Sequence, residues 1–134
     1  MKRKDRSCLA SSGPDFIGIQ TTELDAALTF YRDVVGLTPS AKAPPGAIVF
    51  DTQPIPFAVR SPMGDFDPTA KLGAGIALWF GCDDADALHA HLREQDVTIA
   101  FPPKDGPFGR YFAFVDPFGY TITAHTVPAR PGFD

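Results

Sequence analysis

Cysteine and tryptophan are scarce in this chain, which has two cysteines and one tryptophan among its 134 residues. Cys8 and Cys82 form no closely spaced pair, so the sequence predicts neither a disulfide framework nor a thiolate metal site. Isolated thiols suit a reducing compartment, and we therefore expect a cytoplasmic protein.

Long hydrophobic runs and positive charge are also lacking. No stretch approaches the roughly 18 consecutive apolar residues of a membrane-spanning helix. The basic start "MKRKDRSCLA" leads into polar residues instead of the apolar core of an export signal. The 12 basic residues are outnumbered by 16 acidic ones, for a net charge of -4, whereas nucleic-acid phosphates require clustered lysine and arginine. These deficits argue against membrane and nucleic-acid partners and favour a neutral or cationic small ligand.

Apolar and turn-forming residues, by contrast, are abundant. The composition is 44% hydrophobic with 12 phenylalanines, which is typical of a folded domain, while 14 prolines and 12 glycines indicate many turns. The length is that of one domain. We expect a flexible arm over residues 1–14, a single domain over 15–127 and a tail over 128–134.

The first half of that domain has the order strand, helix, strand, strand. "DFIGIQ" is a short apolar strand, and "TTELDAALTFYRDVVGL" has the apolar spacing of a helix. Thr22 and Asp25 resemble a capping box at its start, and Gly36 stands where a helix end favours positive φ. "AIVFD" and "IPFAVR" follow as two further strands.

The second half repeats this order. "GIALWFGC" predicts a strand, Asp83 or Asp84 caps the helix "DADALHAHLREQ", and "RYFAFV" and "YTITAH" form a hairpin about "DPFG". The separation between corresponding residues drifts only from 61 to 65. The corresponding pairs are Glu23 and Asp84, Asp25 and Asp86, Tyr31 and Leu92, Asp51 and Asp116, and Ala58 and Thr123.

Self-similarity at a nearly fixed spacing predicts an α+β fold of two βαβββ modules, over residues 15–62 and 73–127. The modules are expected to be related by pseudo-twofold symmetry and to form a curled mixed sheet around a cleft, with the helices outside. A ferredoxin-like α+β sandwich, which has a similar element order, is the alternative.

Catalytic motifs are absent. There is no nucleophile elbow and no phosphate-binding loop, and "GAG" at 73–75 predicts only a turn. His89 and His91 are two residues apart on a predicted helix, so they cannot chelate one ion and are expected to be solvated. His125 has the same strand parity as Thr123 and is expected to be a hydrogen-bonding residue of the cleft wall.

Three stretches of the sequence, taken in the order in which they occur, resemble one protein family, and the resemblance covers about residues 15 to 127. "LDAALTFYRDVVGL", "DDADALHAHLREQDV" and "GRYFAFVDPFGYTIT" are similar to the helix openings and terminal hairpin of the glyoxalase/bleomycin-resistance/extradiol-dioxygenase superfamily, the vicinal oxygen chelate fold. The resemblance implies the paired-module fold predicted from the repeat.

In enzymes of that family a divalent metal is held by two residues of each module, usually His on the first strand and Glu on the last. The resemblance places these four positions on Phe16, Ala58, Ala77 (or Gly75 if the strand bulges) and Thr123. None supplies an imidazole or carboxylate ligand. We therefore expect no metal, no cofactor and no catalytic residue.

The missing ligands, and the tryptophan before the second helix in "WFGCDDADALH", resemble the metal-free, antibiotic-binding branch of the superfamily. This implies a homodimer that sequesters an aromatic natural-product antibiotic and confers self-resistance. Trp79 shares parity with Ala77 and is expected to offer a stacking surface. The full set of expected ligand-binding residues is Phe16, Gln20, Ala58, Arg60, Trp79, Phe112, Phe114, Thr123 and His125.

Two alternatives stay open from the sequence. One is an isomerase, lyase or epimerase that acts on a small carbonyl or epoxide substrate without the usual metal site, through His125 or Asp105. The other is a structural or regulatory dimer. The segments 61–69 and 101–109, with phenylalanine among glycine and proline, are either loops that close over the ligand or, respectively, a linker and a hairpin approach.

Overall fold

The computed structural model describes residues 11–127. Most of the expected arm, residues 1–10 with Cys8, and the expected tail, residues 128–134, lie outside this range. The first module contains β1 (Ile17–Gln20), α1 (Leu24–Leu28), a π-helical segment (Thr29–Val34), β2 (Ala47–Phe50) and β3 (Phe57–Arg60). The second contains β4 (Leu78–Cys82), α2 (Ala85–Glu94), β5 (Thr98–Lys104), β6 (Tyr111–Val115) and β7 (Thr121–Thr126).

The strands form two mixed sheets with the same internal order. The first sheet is ordered β1-β3-β2 and the second β4-β7-β6-β5. The first and last strands of each module run parallel, and the other pairs are antiparallel. Each helix packs on the strands of its own module. The repeated α+β fold is thereby confirmed, as two separate sheets.

The helix starts differ between the modules. Asp84 caps α2 as expected, because its side chain accepts a hydrogen bond from the amide of Ala87 at 3.1 Å. The capping box at Thr22 was wrong, because α1 is capped at Glu23 with no side-chain hydrogen bond. The hydroxyl of Thr21 instead accepts from the Glu23 amide at 3.1 Å, so a side-chain turn precedes the helix.

β5 is the third strand that the predicted βαβββ pattern requires after the second helix, but its position was not predicted, since prolines in "TIAFPPK" disfavour a strand. It forms as the edge of the second sheet, and its register shifts between Ile99 and Phe101 and again between Phe101 and Lys104. Pro102 and Pro103 fall within the second irregularity, where no regular ladder requires their missing N–H groups. The first module has only an isolated bridge between Pro39 and Phe50 at the corresponding place.

One hydrophobic core joins the two modules. Phe30 of the π-helical segment lies 6.3 Å from Phe114, and Phe57 lies 5.2 Å from Phe80, measured between ring centroids. Within residues 11–127, no helix is long and apolar enough to cross a membrane.

A buried polar contact crosses the same core. The Tyr31 hydroxyl donates to Oδ2 of Asp116 at 2.6 Å, and Oδ1 of Asp116 accepts from the amides of Phe118 and Tyr120, each at 2.9 Å. The Tyr120 hydroxyl donates to the Gln20 carbonyl at 2.8 Å. Burial, followed by the nearby carboxylate of Asp116, raises the pKa of Tyr31 well above its ordinary value, so the phenol keeps its proton. Asp116 thus ties the terminal hairpin to the helix of the first module.

Tyr31→Phe is expected to lower the free energy of unfolding by about 1–3 kcal/mol, because Oδ2 of buried Asp116 loses its partner. Urea denaturation would measure the loss. Tyr111→Phe, which removes a hydroxyl from a half-buried ring, serves as the matched control. Equal stability of the two variants would contradict the assigned role of the Tyr31–Asp116 contact.

Candidate functional site

Strand alternation in the second sheet separates an exposed face from a core face. Trp79 of β4 is paired with Thr123 of β7, and Tyr111 of β6 is paired with His125 of β7. Directly paired residues lie on the same side of a sheet. These four side chains therefore share one face, while the alternate residues are directed into the core.

Four aromatic side chains cluster on the exposed side; we call Trp79, Phe108, Tyr111 and His125 the aromatic face. Trp79 stacks on Tyr111 with ring centroids 5.7 Å apart and planes 20° apart. His125 and Phe108 meet the indole edge-on, at 5.3 and 6.1 Å. Trp79 is nevertheless 45% exposed and Phe108 69% exposed. Two rings of the aromatic face are therefore stacked and two stand edge-on to the indole, and Trp79 and Phe108 leave the cluster open to one side.

The segment that precedes β6 is held against this face by close backbone approaches. A side chain at Gly106 would meet the Tyr111 ring at 2.5 Å. A side chain at Gly109, whose φ is +103°, would lie 2.8 Å from the Thr126 carbonyl oxygen. Glycine at both places lets Phe108 reach the edge of Trp79.

His125 also holds this segment. Its Nδ1 lies 3.0 Å from the carbonyl oxygen of Phe108. Because a carbonyl only accepts, Nδ1 carries the hydrogen, and Nε2 of the neutral ring is left as an acceptor. The Asp105 carboxylate binds Arg110 at 3.3 Å instead. Within residues 11–127, His125 therefore has no carboxylate partner of the kind that orients a typical general base.

A second group of expected site residues lies on the first sheet. Gly18 pairs with Ala58, and Gln20 pairs with Arg60, so all four share one face. Gln20 Oε1 accepts from the amide of Met63 at 3.0 Å and thereby holds the start of the linker between modules.

The other members of this group differ in exposure. Arg60 Nε donates to the Ser61 carbonyl at 3.1 Å, and Ala58 is buried. Phe16 precedes β1 and is 51% exposed, with one ring atom 3.4 Å from the place a side chain at Gly18 would occupy.

Phe112 and Phe114, which we expected among the cleft aromatics, lie on the opposite side of the second sheet. Both are fully buried, with Phe112 5.3 Å from the ring of His89 and Phe114 close to Phe30. Alternation puts them on the core side because Thr123 is paired with Ala113. We therefore leave both out of the proposed binding surface. We expected His89 to be solvated, but its ring is half-buried against Phe112.

Two residues of the aromatic face, Tyr111 and Phe108, were not among the ligand-binding residues expected from the sequence. The hairpin register contains the signal for Tyr111: Val115 pairs with Thr121 across the turn, which puts Tyr111 beside His125. Phe108 lies in a loop, and no periodicity in the sequence indicates where a loop side chain points.

Two of the positions that correspond to metal ligands, Thr123 and Ala58, lie within strands and carry other chemistry. Thr123 lies on the aromatic side of the second sheet, and Ala58 lies on the face of the first sheet that carries Gln20 and Arg60. Among the described residues, no three side chains of His, Cys, Asp or Glu are grouped as a metal site requires.

The two segments with phenylalanine among glycine and proline, 61–69 and 101–109, have different structures. Part of 101–109 belongs to β5, and the rest approaches β6, so the hairpin-approach interpretation fits that segment. The linker segment 61–69 borders a small open cavity of about 150 Å³ whose lining includes Thr21, Phe66 and Phe118. That cavity includes no residue of the aromatic face.

Residues 13–123 match the model of the Glyoxalase/Bleomycin resistance protein/Dioxygenase superfamily. The chain belongs to this superfamily, and the resemblance noted in the sequence is confirmed. A search of curated protein sequences gives no match.

Solved structures agree on the fold. TnmS3, an antibiotic binding protein from Streptomyces sp. CB03234, is similar with a TM-score of 0.68 and 26% identity over 89% of this chain and 98% of TnmS3. UcmS2 is similar with a TM-score of 0.70 and 18% identity over 86% of this chain and 98% of UcmS2. Lactoylglutathione lyase from Agrobacterium tumefaciens has a TM-score of 0.64 and 23% identity over 87% of this chain and 95% of the lyase. The last two likenesses concern the fold alone.

Gly109→Ala is expected to displace Phe108 from the indole edge, because the new methyl group meets the Thr126 carbonyl and the backbone has positive φ. We expect a weaker near-ultraviolet circular dichroism signal and a red-shifted emission of Trp79. Gly64→Ala is the matched control, since Gly64 also has positive φ, +67°, but nothing lies within 4 Å of the added atom. Identical spectra for the two variants would contradict this account of the loop.

Proposed function

We propose that this protein binds an aromatic small molecule without converting it, and that the ligand is a natural-product antibiotic that it sequesters. The observation that carries the proposal is the half-exposed Trp79, held in a stack on Tyr111 with further aromatic rings at its edge. A large flat ligand gains both apolar burial and ring stacking on such a surface. TnmS3, which is similar over most of its length, is an antibiotic binding protein.

Polar groups beside the rings suit the orientation of a ligand. Nε2 of His125 is an acceptor in the neutral ring, and the Thr123 hydroxyl is both donor and acceptor. Gln20 and Arg60 supply amide and guanidinium groups on the first sheet. In the proposed complex these groups fix the register of the ligand, and stacking supplies most of the affinity.

The residues favour binding over catalysis. The positions where enzymes of the superfamily carry metal ligands hold Phe16, Ala58, Ala77 and Thr123, and His125 is hydrogen-bonded to a backbone carbonyl. Conversion of a small carbonyl or epoxide substrate is the alternative, and the superfamily fold is shared with a lactoylglutathione lyase. Recovery of the ligand after binding distinguishes the two functions.

Trp79→Ala is expected to weaken binding of planar polycyclic antibiotics, such as anthracyclines and anthraquinones, by about 2 kcal/mol, or roughly 30-fold in Kd. Removal of the indole takes away the largest stacking surface and frees the Phe108 ring. Isothermal titration calorimetry is the suitable measurement, because it does not depend on the tryptophan signal.

Met63→Ala is the control for this experiment, since Met63 is an exposed apolar side chain, 63% accessible, outside the aromatic face. It is expected to leave the affinity within twofold of the unmodified protein. Equal affinities of the Trp79 and Met63 variants would contradict the proposal.

We also propose that the protein acts as a homodimer. Among residues 11–127, five large apolar side chains are more than 40% exposed in a single chain: Phe16, Met63, Ile76, Trp79 and Phe108. A drug-sized ligand typically has 70–90% of its surface buried, which a single open face does not provide. A second subunit that covers the aromatic face would supply the missing wall.

Static light scattering is expected to give a mass of twice the chain's 14.4 kDa at micromolar concentration. Ile76→Asp, which puts a charge on a 68% exposed apolar side chain, is expected to shift the population toward monomer. Asp65→Asn at another exposed position is the control. A monomer for the unmodified protein across the concentration range would contradict the homodimer.

A further inference from the structure

Lys104 stands at one end of the aromatic face. Its Nζ lies 4.5 Å from the centroid of the Phe101 ring and 5.5 Å from the centroid of the Tyr111 ring. Tyr111 is in turn stacked on Trp79. A cation over ring faces is held there by the ring quadrupoles, so the ammonium group is directed along the aromatic face.

The irregular register of β5 brings this charge to the face. Phe101 and Lys104 are three residues apart, so a regular strand would direct them to opposite sides of the sheet. The structure pairs Phe101 with Ala113 and Lys104 with Tyr111, two residues of β6 on the aromatic side. The shift between the two pairs, at Pro102 and Pro103, therefore places both side chains on one side.

Within the described part of the chain, Lys104 takes part in no ion pair, in contrast to Arg110. Arg110 is engaged by two carboxylates, with Nε 3.1 Å from Asp86 and Nη1 3.3 Å from Asp105. Among the described residues 11–127, no carboxylate lies within ion-pair distance of Lys104, and the Asp105 side chain is directed to Arg110. Two neutral rings, those of Phe101 and Tyr111, lie within 5.5 Å of the Lys104 ammonium group, measured to their centroids.

We propose that Lys104 makes the aromatic face selective for ring systems that carry an anionic oxygen, such as a carboxylate or an ionised phenol. This inference rests on the proposed function and names the ligand class of the same surface. With the ring system on Trp79, an oxygen anion at its end meets the ammonium group of Lys104, and because Lys104 is exposed the attraction is that of a surface ion pair. The local charge outweighs the overall net charge of -4, which by itself favours a cationic ligand.

The test compares two probes of nearly equal shape, anthraquinone-2-carboxylate and neutral 2-(hydroxymethyl)anthraquinone, by equilibrium dialysis at low ionic strength. The unmodified protein is expected to bind the carboxylate about three- to fivefold more tightly, and the preference is expected to shrink as salt is added. Lys104→Gln is expected to abolish the preference while it leaves the affinity for the neutral probe within twofold. Lys42→Gln, in the exposed loop before β2, is the charge-matched control and is expected to retain it.

The outcomes separate this inference from the function on which it rests. Equal binding of the two probes, tighter binding of the neutral probe, or a preference that survives in Lys104→Gln overturns the role of Lys104 and leaves aromatic binding intact. An equal loss of preference in Lys42→Gln means that overall charge, not this position, sets the selectivity, and also overturns it. Failure of both probes to bind overturns the inference together with the proposed aromatic site.

Discussion

The hydrogen bonds of Asp116 are the constraint on which both the fold and the site depend. One carboxylate oxygen accepts from Tyr31 of the first module, and the other accepts from the amides of Phe118 and Tyr120 in the terminal turn. Asp116 therefore joins the modules and closes the β6–β7 turn at the same time. Since strand register repeats every two residues, a shift of one residue at this turn would move Tyr111 to the core side and Phe112 to the exposed side. The aromatic face exists only in the register that this turn sets.

Most of the fold could be predicted from the sequence, because the same order of elements occurs in both modules and the apolar residues follow the periods of helices and strands. The failures have local physical causes. The βαβββ pattern required a strand at the place of β5, but its position was not assigned because prolines are normally excluded from strands. An edge strand with an irregular register tolerates them. Phe112 and Phe114 were expected in the site because phenylalanine on a strand suits a core and an aromatic cleft equally well, and only the pairing of Ala113 with Thr123 distinguishes the two.

The site itself was less accessible to sequence reasoning. Strand parity, together with the metal-ligand positions that the family resemblance implies, predicted Trp79, Thr123 and His125 as residues of one cleft, and the structure brings them together on one face. Phe108 and Lys104 reach the same face through a loop and a register irregularity, which have no fixed period. The same irregularity gives the surface a charge that composition does not reveal, because the chain as a whole is acidic. In the proposed function, a flat molecule stacks on this open π-rich face.

The central claim is that a flat ligand lies against Trp79 and leaves unchanged. Because Trp79 is the single tryptophan of the chain, its fluorescence reports on this surface without interference from other indoles. The most direct measurement is a titration of that fluorescence with polycyclic aromatic antibiotics, followed by chromatography of the released ligand. Saturable quenching at about one ligand per chain with the ligand recovered intact is the predicted result. Recovery of a converted ligand, or no quenching by any member of the series, would contradict the account.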